Sequence, residues 1–96
     1  MRIKVFGKPG CEKCKYAQRR LKDEKIPFDY FDLTTPAGLA EGAYYEILDS
    51  NLPVILSVDD QGDVLERHRS VLQAIKALTG KDLLQQGESL QLDLGF

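Results

Sequence analysis

Residues 2–6, Arg-Ile-Lys-Val-Phe, alternate polar and apolar side chains. That is the period of a half-buried strand, with Ile3 and Val5 on one face. Residues 7–10, Gly-Lys-Pro-Gly, read as a turn. Residues 15–25 then change to helical spacing, with Cys14, Ala17 and Leu21 on one side and Gln18, Arg19 and Lys22 elsewhere. The helix is expected to end at Ile26-Pro27, because the residue before a proline is steered away from helical angles. Residues 28–33 read as a second strand. A strand, a helix and a strand in that order imply a right-handed parallel crossover.

Thr35 followed by Pro36 marks a second helix, with threonine as N-cap and proline at the first helical position. This helix is expected to run through Ser50. Ala40, Ala43, Tyr44, Ile47 and Leu48 form its apolar face, and Tyr44 and Tyr45 act as packing residues. Gly38 and Gly42 weaken it by roughly 1 kcal/mol each relative to alanine, and close helix–sheet packing is the plain reason to keep them. Residues 54–58 are an apolar strand after Leu52-Pro53. Residues 59–62 form a hairpin turn, and 63–67 a fourth strand antiparallel to the third. Ser70 and Gln73 form a capping box that opens a third helix. Val71, Ala74, Ile75 and Leu78 face inward along it, and Gly80 ends it. Beyond residue 80, Leu90, Leu92, Leu94 and Phe96 alternate with Gln91, Asp93 and Gly95. That alternation is a strand pattern or an apolar edge seeking a partner.

Ninety-six residues, 43% of them hydrophobic, suffice for one modest core without a metal or a disulfide staple. The expected organisation is a domain over residues 1–80 and an extension over 81–96. No apolar run approaches the length of a membrane span. The opening residues read as a strand rather than a secretion signal. A reducing cytoplasm and a monomeric chain are therefore expected. The net charge of −2 is unevenly spread: residues 1–30 hold nine Lys/Arg against four Asp/Glu, and the remainder four against eleven. The positive part surrounds the cysteines and suits attraction of an acidic partner; the solvated face of one helix is the simpler account of Arg19, Arg20 and Lys22. An acidic domain without a basic stripe interleaved with aromatics excludes nucleic acid as the expected ligand.

The chemistry sits at Cys11-Glu12-Lys13-Cys14, which contains both cysteines of the chain. The turn delivers Cys11 to the first turn of a helix, where unpaired amides and the helix dipole favour an anion. Its thiol is expected to ionise below the roughly 8.5 of a free cysteine. Lys8, Lys13 and Lys15 reinforce that effect, and Glu12 opposes it. Cys14 lies one turn further in, facing the fold, and closes on Cys11 with little backbone movement. The pattern suits thiol–disulfide exchange, with Cys11 attacking and Cys14 resolving. A zinc site needs four ligands, and the chain offers only these two cysteines and His68. The alternative is thus a metal or iron–sulfur module shared across a dimer; otherwise no metal is expected. His68, the single histidine, is expected at the surface, at a strand end.

The strand–helix–strand unit followed by helix–strand–strand–helix, with a CxxC after the first strand and a proline before the third, resembles the thioredoxin superfamily. Within it the chain resembles the glutaredoxins over about residues 1–80. Lys8 three residues before Cys11, the Cys11–Cys14 pair, Ala17 continuing a CxxCxxA pattern, and Leu52-Pro53 before the third strand carry the likeness. The resemblance implies an α/β, thioredoxin-like fold with a mixed four-stranded sheet. It implies a glutaredoxin-type oxidoreductase that reduces protein or glutathione mixed disulfides. No cofactor is expected to be bound, with glutathione a candidate co-substrate and glutathione or thioredoxin reductase the candidate reductant.

The resemblance further implies a cis peptide at Leu52–Pro53, which turns the Leu52 amide and carbonyl towards a substrate backbone beside Cys11. Lys8 becomes a contact for a substrate carboxylate or for the thiolate, and Tyr16 a candidate groove wall. The chain also departs from the family patterns. Val5 stands where thioredoxins bury a carboxylate, and the chain has no tryptophan. The Gly-Gly pair that lets glutathione approach the backbone of glutaredoxins is replaced by Glu66-Arg67-His68-Arg69-Ser70. Arg67, Arg69 or Ser70 at the helix start is the candidate carboxylate contact that remains.

Overall fold

A computed structural model describes residues 1–80. The expected extension over 81–96, with its Leu90 to Phe96 alternation, lies outside the described residues. Seven elements follow in order: β1 (Arg2–Gly7), α1 (Glu12–Asp23), β2 (Asp29–Asp32), α2 (Pro36–Tyr44), β3 (Val54–Val58), β4 (Val64–His68) and α3 (Val71–Thr79). The four strands form one mixed sheet in the order β2-β1-β3-β4. β1 and β2 are parallel, β3 is antiparallel to β1, and β4 is antiparallel to β3. No helix among the described residues is long and apolar enough to cross a membrane.

Alternation along the central strands divides the core between the two faces of the sheet. On one face Ile3, Val5 and Ile55 meet Ala17 and Leu21 of α1 and Val71, Ala74 and Ile75 of α3. On the other, Phe6, Val54, Leu56 and Val58 pack with Ile47, Phe31, Leu33 and Tyr45. All five residues of β3 are buried, as expected of a strand covered on both sides.

The helix starts agree with the local signals. Thr35 Oγ1 accepts the Gly38 N–H at 3.0 Å, and Pro36 takes the first helical position. Ser70 Oγ accepts the Gln73 N–H at 3.1 Å. The return bond expected of a capping box goes elsewhere, however. Gln73 Oε1 accepts from the Arg69 N–H at 3.3 Å and meets His68 Nδ1 at 3.2 Å.

Two helix ends differ from expectation. α1 stops at Asp23, ahead of the proline, because Lys25 adopts a left-handed φ of 58°. Ile26 N–H then bonds Leu21 C=O and Lys25 N–H bonds Lys22 C=O, a Schellman closure without glycine. α2 stops at Tyr44 in the same way, short of Ser50. Glu46 has φ 57°, Ile47 N–H bonds Gly42 C=O, and Glu46 N–H bonds Ala43 C=O.

The buried face of α2 is also not the expected one. Gly38 and Gly42 are its buried residues, while Ala40, Ala43, Tyr44 and Leu48 are exposed. A side chain at Gly38 would collide with the Asp32 carbonyl, and one at Gly42 would stand 2.8 Å from the Leu33 and Leu48 methyl carbons. The glycines let α2 lie against the end of β2, and that leaves Leu39 exposed. Lys4 braces the same helix from β1. Its Nζ donates to Glu41 Oε2 and Tyr45 Oη, both at 3.0 Å. Burial lowers the Lys4 pKa, but the bonds to Tyr45 and Glu41 outweigh burial and leave it raised.

Candidate functional site

Gly7 closes β1, and the chain turns through Lys8-Pro9-Gly10-Cys11. Cys11 N–H reaches Lys8 C=O at 3.4 Å, and Gly10 has φ 81°. Proline at the second position and a left-handed glycine at the third are the chemistry of a type II turn. The turn places Cys11 at the N-cap of α1, one residue ahead of the first helical turn where the sequence put it. Cys11 Sγ accepts the Cys14 N–H at 3.1 Å. A sulfur thus occupies the place of an N-cap oxygen, at the positive end of the helix dipole.

Cys11 is half-buried, whereas Cys14 is only 1% exposed. The two are joined as a disulfide, with Cα atoms 5.2 Å apart. Glu12, beside them, is paired with Lys15 at 3.8 Å. Val5 is fully buried, so the position of the thioredoxin carboxylate is an apolar one here.

An open groove of about 790 Å³ runs past Cys11. It brings together Cys11, Lys8 and Leu52 of the expected site. The Leu52–Pro53 peptide is cis. Neither the N–H nor the C=O of Leu52 bonds another backbone group among the described residues.

Tyr16, Arg67, Arg69 and Ser70 do not line this groove. Tyr16 is 39% exposed on α1, with the Arg19 guanidinium 5.6 Å from its ring centre. Arg67 is exposed on β4, opposite Leu56. Arg69 and Ser70 serve the start of α3 through their bonds with Gln73.

Leu39 and Leu48, which the sequence pattern did not assign to a site, form an apolar rim to the groove. The pattern carried one signal for Leu39. Glycines four apart mark a closely packed helix face, and Leu39 stands at the edge of that face. A second cleft, of about 490 Å³, lies at the start of β1 near Met1, Pro27 and Leu78 and contains no cysteine.

His68 is buried at 4% exposure, not at the surface. Its Nε2 lies 2.7 Å from Ser57 Oγ and its Nδ1 3.2 Å from Gln73 Oε1. The amide oxygen accepts from Nδ1–H, and the serine hydroxyl donates to Nε2. His68 is therefore a strand-to-helix tie, with both ring nitrogens engaged. Among the described residues no three His, Cys, Asp or Glu side chains group as ligands for a metal.

The family model described as Glutaredoxin matches residues 3–62. The chain belongs to the glutaredoxin family. Family and CxxC pair together support a function of thiol–disulfide oxidoreductase type. The matched span of this glutaredoxin stops at Gly62, ahead of residues 66–70 where the Gly-Gly pair is missing. Among solved structures, a mutant of the thioredoxin-like protein BC3987 is similar at 22% identity. That likeness covers 67% of this chain and 82% of the other, with a TM-score of 0.50, and it shows the thioredoxin-like fold alone. A search of curated proteins finds no significant match.

Proposed function

We propose that this protein is a dithiol–disulfide oxidoreductase that reduces disulfides on proteins or small thiols. The observation that carries the reading is Cys11 Sγ at the rim of the groove, capping α1 and accepting the Cys14 amide at 3.1 Å. As a thiolate, Cys11 attacks one sulfur of the substrate disulfide. A bond forms between Cys11 and that sulfur, the substrate S–S bond breaks, and the departing thiolate takes a proton from water. Cys14 then loses its proton and attacks Cys11. The Cys11–Cys14 bond forms and the mixed disulfide breaks, which leaves the substrate with two thiols and the enzyme oxidised.

The free Leu52 amide and carbonyl pair with the substrate backbone alongside the cysteines. Leu39 and Leu48 cover its apolar side chains, and Lys8 attracts a carboxylate. Arg67, Arg69 and Ser70 lie outside the groove and take no part in this reading. The oxidised enzyme is returned to the dithiol by glutathione or by a thioredoxin reductase, and the cytoplasm is the compartment whose redox poise suits that cycle.

Cys11→Ser is expected to abolish exchange, and Cys14→Ser to accumulate mixed disulfides at Cys11. Retained turnover in Cys11→Ser would sink the reading. Equilibration with glutathione at graded ratios, alkylation and mass measurement identify the reductant. Glutathione adducts on Cys11 support glutathione as reductant. A Cys11–Cys14 disulfide without adducts supports a reductase.

A further inference from the structure

The buried cysteine poses a chemical problem that the reaction above leaves open. Cys14 must become a thiolate to resolve the mixed disulfide, yet it is 1% exposed. Burial in apolar surroundings raises a thiol's pKa. The position six residues before Cys11 contains no carboxylate to help, since Val5 is apolar and fully buried.

The register of the sheet supplies another polar group. Val5 pairs with Tyr30 on β2. The Tyr30 ring packs against the α1 side of the core, and its hydroxyl ends beside Gly7. A Cβ on Gly7 would stand 2.5 Å from Tyr30 Oη and 2.9 Å from Cys14 Sγ. Hydroxyl and sulfur therefore crowd the same side of Gly7, in room that a side chain at residue 7 would take. The hydroxyl forms no hydrogen bond among the described residues, so its proton is uncommitted.

We propose that Tyr30 donates its O–H to the Cys14 thiolate and thereby speeds the resolving step; this rests on the proposed dithiol mechanism. In that step the Cys14 proton goes to solvent. The new sulfur anion accepts the phenol hydrogen bond, attacks Cys11 and displaces the substrate thiolate. No proton leaves Tyr30. Burial, then the neighbouring Asp32 charge, holds the phenol pKa above its usual 10.0. Tyr30 therefore remains a donor at neutral pH and does not act as a base. A bond to a charged acceptor is the stronger kind, and in a shielded site it offsets part of the cost of burying the anion.

The test removes one oxygen atom and follows the two chemical steps separately. Tyr30→Phe keeps the ring and its packing. The probe is a peptide disulfide, with quenched samples read by mass. In the otherwise unaltered chain, Tyr30→Phe is expected to slow decay of the Cys11–peptide mixed disulfide at least about ten-fold. In the Cys14→Ser background, the same substitution is expected to leave formation of that adduct at the parent rate. Equal decay rates with and without the hydroxyl overturn the proposal. So does equal slowing of both steps, which would mark a general packing defect. If Cys11 forms no adduct in any variant, the oxidoreductase reading itself fails and this inference falls with it.

Discussion

Asp32 shows how one side chain at a strand end prepares the helix that follows. Its Oδ1 accepts the Thr34 N–H at 2.8 Å and the Thr34 hydroxyl at 2.6 Å. Its backbone carbonyl accepts from Thr35, the cap of α2. The Thr34 hydroxyl, then the Thr34 amide, hold the Asp32 carboxyl below its usual 3.8. A depressed folded-state pKa means stability that is complete above the unfolded value and lost as pH falls through the folded one. Asp32→Asn is therefore expected to flatten the acid limb of the stability curve. Urea midpoints at about pH 7 and about pH 3 check it. The same change in midpoint for both proteins would count against Asp32 as a contributor.

His68 is positioned by partners distant along the chain. A lone histidine between two arginines and beyond a glutamate has the sequence neighbourhood of a surface residue. Its burial depends on Ser57, across the β3–β4 ladder, and Gln73, a turn into α3. Neither partner is implied by the residues next to it.

Among the elements, α2 carries the most information about the site. Alanine at Gly38 would raise intrinsic helix propensity by about 1 kcal/mol. The structure opposes that gain, since the new Cβ would strike the Asp32 carbonyl. Overpacking against backbone costs roughly 1–3 kcal/mol. Gly38→Ala is thus expected to destabilise the protein, read as a lower urea midpoint with an unchanged slope. A stabilised variant would show that α2 does not need this close approach.

The starts of the elements were legible because caps are local. Thr35-Pro36 and Ser70-x-x-Gln73 announce themselves within four residues. The ends of α1 and α2 were not. Lys25 and Glu46 occupy left-handed positions usually given to glycine, at a cost of about 1 kcal/mol each. Only the packing of Ile26 and Ile47 beyond them accounts for the early stop. The misjudged apolar face of α2 followed from the same limit. Its hydrophobic residues had no way to announce that the glycines, and not they, would meet the sheet.

For the molecule as a whole, charge is the property most relevant to encounter. Nine of the thirteen basic residues lie in the first thirty positions, and Lys8 and Lys13 border the groove beside Cys11. Exchange with an acidic disulfide peptide is expected to slow about three-fold or more when salt rises from about 0.01 M to 0.15 M, because the screening length shortens from roughly 30 Å to 8 Å. Exchange with a neutral peptide serves as the reference and is expected to stay level. Equal salt response for both peptides would leave the basic region as solvated surface.

The sequence by itself determined the strand and helix order, the starts of the helices, and the placing of Cys11 at a helix entrance. Each rests on periodicity, on a cap or on a turn residue acting within a few positions, so neighbours along the chain suffice. Tertiary structure alone decided which residues share the groove and which stand behind Cys14. Tyr16 and the 67–70 segment fall outside the groove, while Leu39 and Leu48 form its rim. Tyr30 Oη comes to the side of Gly7 that Cys14 Sγ also borders only because β2 pairs with β1 in the register that sets Tyr30 opposite Val5. Register and helix rotation are chosen by burial of whole faces at once, a condition that no short stretch of sequence contains.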